Sequence, residues 1–247
     1  MSVECIHGLE EGLCGSCNPK EVVEVKKVTT TRAPQRKATP AMEASQLVVN
    51  VGEQRIYHLT HIRNLEIIVA DGSIRADAVP AFDISSELTR ELRRTAEVDD
   101  GVPVANFVPF FLAPNASLWE ELRRGAANPR WSDAARKAPP ADFVILASTI
   151  SAIPGGAVIA DGDAGGSLAR FASSPADSER MLRRVRQDEY ALYEAEALSP
   201  GTFPFAEISL IGVANDRARD RVKQLLAGSD YSPKISVYPP WFQHPGT

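Results

Sequence analysis

From Asp142 to Tyr238 the chain carries five short apolar or alternating runs, at 142–148, 157–160, 190–198, 208–213 and 235–238. Runs of that length bounded by Gly, Pro, Asp and Ser read as β-strands. One amphipathic helical stretch, Asp216 to Leu226, lies among them. Strands therefore follow one another instead of alternating with helices, which excludes a doubly wound parallel sheet and implies an α+β fold. In the first half, Gln54 to Leu59 reads as a strand, and Thr60 is placed to cap a helix over Ile62 to Ala70 that stops at Gly72. Helical spacing recurs over Ile84 to Thr95 and Ser117 to Arg124, and no internal repeat is present.

Three parts are expected. Residues 1–18 form a compact Cys/His segment, residues 19–48 a basic tether rich in Lys, Thr, Ala and Pro, and residues 49–247 the globular domain. With 247 residues and 44% hydrophobic composition, the chain can bury one sizeable core. No apolar run reaches membrane-spanning length and no signal-peptide order opens the chain, so a cytoplasmic location without membrane contact is expected. A net charge of -5 argues against indiscriminate coating of nucleic acid. Arginines nevertheless cluster at 90, 93 and 94, at 123 and 124, and at 183, 184 and 186, either as solvated helix faces or as local basic patches.

All cysteines lie in the first 17 residues, as Cys5, Cys14 and Cys17, and with His7 they spell C-x-H-x6-C-x2-C. That is no disulfide framework. Four N and S ligands suit tetrahedral zinc, and so short a segment would need the metal in order to fold. A closed set of four leaves no position for a substrate, so the expected role is structural or for docking.

Arg186 to Leu198 reads RQDEYALYEAEAL, a charged loop entering a strand with Glu194 and Glu196 on the same face as Leu192 and Leu198. A carboxylate at the edge of a packed surface is costly unless it is paired or used.

Four ordered segments then resemble one family. They are IYHLTHIRNLEIIVADG at 56–72, LRRTAEV at 92–98 with NFVPFFLAPNASL at 106–118, YEAEAL at 193–198, and ISVYPPWF at 235–242. Together they are similar to the DarT family, toxins that transfer ADP-ribose from NAD to bases of single-stranded DNA. The resemblance implies an ADP-ribosyltransferase-like fold, two small packed antiparallel sheets with flanking helices and NAD in the cleft between them. The absence of a G-x-G-x-x-G run between a strand and a helix agrees with such a fold.

By the same resemblance, Glu196 corresponds to the catalytic glutamate, which stabilises positive charge on the ribose as the nicotinamide bond breaks and assists proton removal from the target base. His58 and Thr60 match the His-x-Thr that contacts the ribose and nicotinamide amide of NAD. One of Arg93 and Arg94 matches the active-site arginine, able to clamp the pyrophosphate or orient the base. The expected partners are single-stranded DNA and a macrodomain antitoxin that removes the mark.

Residues 106–111 are read mainly as core with base stacking as the alternative, and 162–167 (GDAGGS) as a surface turn in preference to a phosphate cradle; by the resemblance 177–189 is an acceptor-selecting loop, with ordinary helix decoration as the alternative. His61 falls on the far face of the strand, outside the site. Glu194 stands where DarT-like sequences often have Gln, and an E-x-E pair also resembles protein-arginine ADP-ribosyltransferases. An acceptor in protein or RNA, or a zinc-tethered nucleic-acid-binding module without catalysis, therefore stays open.

Overall fold

A computed structural model describes residues 50–98, 101–125 and 127–243. The first half contains β1 (Arg55–His61), α1 (Leu65–Asp71), β2 (Ser73–Arg75), α2 (Glu87–Thr95), β3 (Glu97–Val98), β4 (Val102–Pro103), β5 (Phe107–Phe111), α3 (Ser117–Arg123) and α4 (Asp133–Lys137). The second contains β6 (Phe143–Thr149), β7 (Val158–Ala160), β8 (Phe171–Ala172), α5 (Pro175–Val185), α6 (Glu189–Glu194), β9 (Glu196–Pro200), β10 (Thr202–Pro204), β11 (Leu210–Val213), α7 (Asp216–Leu226) and β12 (Lys234–Val237). The zinc segment and the basic tether expected before residue 49 lie outside the described residues.

The fold is mixed α+β, but its main sheet differs from two separate packed sheets. Eight strands run in the order β12-β11-β6-β1-β5-β9-β7-β8. Two halves are nonetheless visible, because β1 and β5 meet at a single pair, Tyr57 with Phe111. By contrast β1 pairs with β6 along its whole length, from Arg55–Thr149 to His61–Phe143.

Pro109 accounts for the break. It has no N–H to give a ladder, and its carbonyl is taken instead by the ring nitrogen Nδ1 of His58 at 2.9 Å. The halves are therefore hinged at one residue pair and part beside His58. One pairing is parallel, β11 with β12, and the rest of this sheet is antiparallel.

Packing follows the two-residue period. On β6, Val144 and Leu146 join Ile56, Phe110, Ala197 and Phe203 in one core, while Phe143 and Ile145 join Tyr57, Leu59, Trp119 and Trp131 in another. A strand buried on both faces is apolar throughout, which is why 143–147 has no polar residue. Helix α7 covers the first core with Ala218, Val222 and Leu226 at intervals of four, behind an Asn215 cap. Phe107, Val108 and Phe110 are core residues, as the first reading expected.

Several boundaries differ from expectation. The stretch 190–198 is not one strand: Asp188 caps the amides of Tyr190 and Ala191, α6 runs to Glu194, and β9 begins only at Glu196. Glu194 and Glu196 thus share no strand face, and Glu194 is exposed. The segment read as a loop from 177 is largely α5, started by a Ser174 cap and Pro175 and buried through Leu182 and Val185. Thr60 caps no helix; His61 accepts from the Arg63 amide to open a 3-10 turn, and α1 follows and ends at Gly72 with φ 65°.

Candidate active site

Glu196 opens β9 between Phe111 on β5 and Ala160 on β7, so its carboxylate springs from an inner strand and is 2% exposed. A charge so placed needs partners. Oε2 accepts from Arg93 Nη1 at 3.1 Å, and Oε1 accepts from the backbone N–H of Ala164 at 3.3 Å. Arg93 comes from the last turn of α2, and its Nη2 is buried with no partner among the described residues. The guanidinium holds the carboxylate with one nitrogen, and its second terminal nitrogen is an unused donor among the described residues.

Arg94 lies elsewhere. Half exposed, it pairs with Glu87 and Glu91 on the outer face of α2, at 2.7 and 2.6 Å. Residues adjacent on a helix point about 100° apart, and only Arg93 faces β9.

His58 sits at the parting of the two half-sheets. A carbonyl can only accept, so Nδ1 carries the hydrogen donated to Pro109, and in the neutral ring Nε2 is left as an acceptor. Burial lowers the pKa of His58, the Pro109 hydrogen bond opposes that shift, and the field of Arg93 lowers it further. Burial and the neighbouring guanidinium both disfavour the charged imidazolium.

Thr60, on the same face of β1, is buried and accepts from Asn64 Nδ2 at 3.0 Å. Asn64 also grips Phe82, donating to its carbonyl at 2.9 Å and accepting from its amide at 2.7 Å. His61, on the other face, stacks on the Phe82 ring at 3.8 Å. Thr60 and His61 thus brace the segment around Phe82 from two directions.

Beside that segment a cavity of about 740 Å³ is lined by Arg63, Phe82, Ser85, Arg90, Trp131 and Arg136, among others. Arg90 lies one helical turn before Arg93 on α2, so the cavity and the Glu196–Arg93 pair share one helix. Trp131 Nε1 is another buried donor without a partner among the described residues.

Sequence reasoning missed the Ala164 amide and Asn64. The run GDAGGS does turn, but not as surface: Ala164 is fully buried and gives its amide to Glu196. The run of glycines was the available signal. Other arginines are drawn into local pairs, Arg183 with Glu179 and Arg184 with Asp161, each at 2.6 Å. Arg123 donates to the carbonyls of Pro240 and Gln243, both at 3.1 Å. Among the described residues, no group of three or more His, Cys, Asp or Glu is placed to hold a metal, and no helix is long and apolar enough to cross a membrane.

The candidate site is thus a buried carboxylate paired with Arg93, on a sheet whose halves meet at one residue pair, and Glu196, Arg93 and His58 are not among the residues lining the neighbouring pocket. The fold matches Thermus sp. 2.9 DarT in complex with ADP-ribosylated ssDNA at 23% identity and TM-score 0.64, over 76% of this chain and 96% of that one. It matches the same protein in complex with NAD+ at 22% identity and TM-score 0.61, over 76% and 97%. Thermosipho africanus DarTG in complex with ADP-ribose matches at 17% identity and TM-score 0.56, over 76% of this chain and 51% of that one. No curated protein matches the sequence.

The family model for DarT, the ssDNA thymidine ADP-ribosyltransferase, matches residues 57–243. The chain belongs to the DarT family, and it is an NAD-dependent ADP-ribosyltransferase.

Proposed function

We propose that the chain cleaves NAD between nicotinamide and ribose and joins the ADP-ribose to thymine in single-stranded DNA, with Glu196, Arg93 and His58 carrying the reaction. The observation that supports this most is the Glu196–Arg93 pair: a buried carboxylate beside a guanidinium nitrogen with no hydrogen-bond partner among the described residues. As the N-glycosidic bond breaks, its electron pair leaves with nicotinamide and positive charge develops on the ribose. Glu196 faces that charge and accepts a hydrogen bond from a ribose hydroxyl, which stabilises it most in the transition state. Thymine has one ring nitrogen not joined to deoxyribose, and that nitrogen bears a proton. Transfer there forms a new C–N bond as the proton departs, and Glu196 takes that proton.

Arg93 Nη2 donates to the dinucleotide, and His58 Nε2 accepts from a ribose hydroxyl. Thr60 takes part through its hydroxyl hydrogen and through its hold on Asn64. Arg94 is left outside the reaction. Binding of the pyrophosphate end of NAD along α2 would draw Arg90 and Arg136 away from Asp83, Glu87 and Asp133, their ion-pair partners on the same wall.

A toxin role, with a macrodomain antitoxin partner that reverses the modification, is part of this proposal and rests on membership of the DarT family. Zinc at Cys5, His7, Cys14 and Cys17 is a proposal supported by the sequence pattern alone, and a cytoplasmic location likewise.

The test is mass spectrometry of single-stranded oligonucleotides incubated with the protein and NAD. A thymidine-containing strand should gain one ADP-ribose per modified base, while a strand without thymine should gain none. Modification of protein or RNA with DNA untouched would overturn the acceptor.

A further inference from the structure

We infer that Asp163 and Arg130 form a positioning couple that aims the carboxylate of Glu196. The inference rests on the reading of Glu196 as the reacting base. Its two oxygens take donors from separate parts of the chain, Oε2 from Arg93 on α2 and Oε1 from the Ala164 amide in the turn after β7. A backbone amide has no rotamer of its own, so its aim depends on what holds its turn.

Asp163 holds it. Its Oδ1 accepts from the Gly165 amide at 2.9 Å, its carbonyl accepts from the Gly166 amide at 2.8 Å, and Ala164 is buried between them. Its other carboxylate oxygen pairs with Arg130. The two side chains are 26% and 16% exposed, so this is not a solvated surface pair.

Arg130 is itself stitched to the start of α2. Its carbonyl accepts from the Ser86 amide at 2.9 Å and from Thr89 Oγ1 at 2.6 Å. The connections close into a ring: Ala164 amide, Asp163, Arg130, α2, Arg93, Glu196 and back to the Ala164 amide. Both donors to the carboxylate are thus referred to one helix. The turn also lies directly against Arg93, since a Cβ on Gly165 would stand 3.4 Å from Arg93 Cγ and 3.6 Å from Leu92 Cβ.

A couple of this kind acts on the chemical step more than on ligand binding, because displacing a reacting group by about 1 Å can cost on the order of 100-fold in rate. The experiment uses the full chain with NAD and a thymidine-containing single-stranded oligonucleotide, and measures kcat, KM for NAD and Tm. Asp163→Ala removes both the Gly165 cap and the Arg130 pair, so kcat should fall about 10–100-fold while KM for NAD changes less than about twofold. Asp163→Asn keeps an oxygen for the Gly165 amide and should recover part of that loss.

A kcat for Asp163→Ala within about twofold of wild type, a loss carried by KM alone, or no recovery in Asp163→Asn would each overturn the inference. Should Asp163→Ala fail to fold, Asp163→Asn and Arg130→Gln decide it: both should lower kcat, and wild-type kcat in either refutes the couple. An inactive wild type refutes the functional reading instead, so the two failures are distinguishable.

Discussion

Removing Arg93 should destabilise the protein far more than removing its neighbour Arg94. The side chains of Glu196 and Arg93 are 3% and 15% exposed. In Arg93→Ala the carboxylate keeps only the Ala164 amide, at 3.3 Å. Breaking a buried pair by deleting one partner costs about 3–5 kcal/mol, because a charge is left without compensation. Water reaches part of Arg93, so the low end applies, about 3 kcal/mol, which for a domain of this size corresponds to about 6–12 °C in Tm. Arg94 is half exposed and its partners Glu87 and Glu91 are more so, and pairs in water add little. Arg94→Ala should therefore melt with the wild type.

The cause can be isolated by neutralising the orphaned charge. Arg93→Ala/Glu196→Gln should be more stable than Arg93→Ala, with a coupling of about 1–3 kcal/mol in the double-mutant cycle. Thermal and urea unfolding followed by circular dichroism measure all four species. An Arg93→Ala protein melting within about 2 °C of wild type, or additive losses in the cycle, would refute the argument that the pair is buried and mutually dependent.

Two further outcomes follow from the structure and one from the sequence pattern. His58 has a lowered pKa in the fold, so its stabilising effect is present above its unfolded value of about 6.5 and is lost as pH falls from there toward the folded value. Melting temperature should therefore drop on acidification, and His58→Gln should shrink that drop without abolishing it, since burial also lowers the pKa of His61. An unchanged profile in His58→Gln would contradict the assignment. Gly212→Ala should cost about 1–3 kcal/mol in urea unfolding, because a Cβ there would come within 2.6 Å of the Trp241 ring; a neutral result would mean that Trp241 yields freely. For the amino-terminal segment, elemental analysis of the full chain should find one zinc per chain, lost in a Cys14→Ser/Cys17→Ser variant, and equal zinc in both would end that proposal.

How legible this was depended on whether an element carries its own signal. Helix α7 was readable from end to end because Ala218, Val222 and Leu226 repeat at four and Asn215 caps them. Strand β6 was readable because both its faces are buried. The stretch 190–198 was misread because alternation along EYALYEAEAL resembles a strand, whereas the Asp188 cap commits its first half to helix. Helix α5 was obscured by its arginines, although Leu182 and Val185 mark its buried stripe.

In the candidate site, Glu196 stood out as a carboxylate among apolar residues, but its role and those of His58 and an arginine came only through family resemblance. Choosing Arg93 over Arg94 requires the rotational phase of α2 relative to β9, which is a tertiary property. The Ala164 amide was invisible for a deeper reason: every residue but proline has a backbone N–H, so the sequence cannot mark the one that is used. Pro109 could have been read as a break in pairing, yet its partner His58 lies 51 residues earlier.

The most direct check replaces one atom of the proposed base. Glu196→Gln keeps the shape and hydrogen-bonding reach of the side chain while removing its charge. Wild type and variant should be compared for nicotinamide release from NAD and for ADP-ribose on a thymidine-containing single strand. The account predicts a folded variant in which both fall by at least about 100-fold. A Glu196→Gln protein that modifies thymidine at close to the wild-type rate would contradict it.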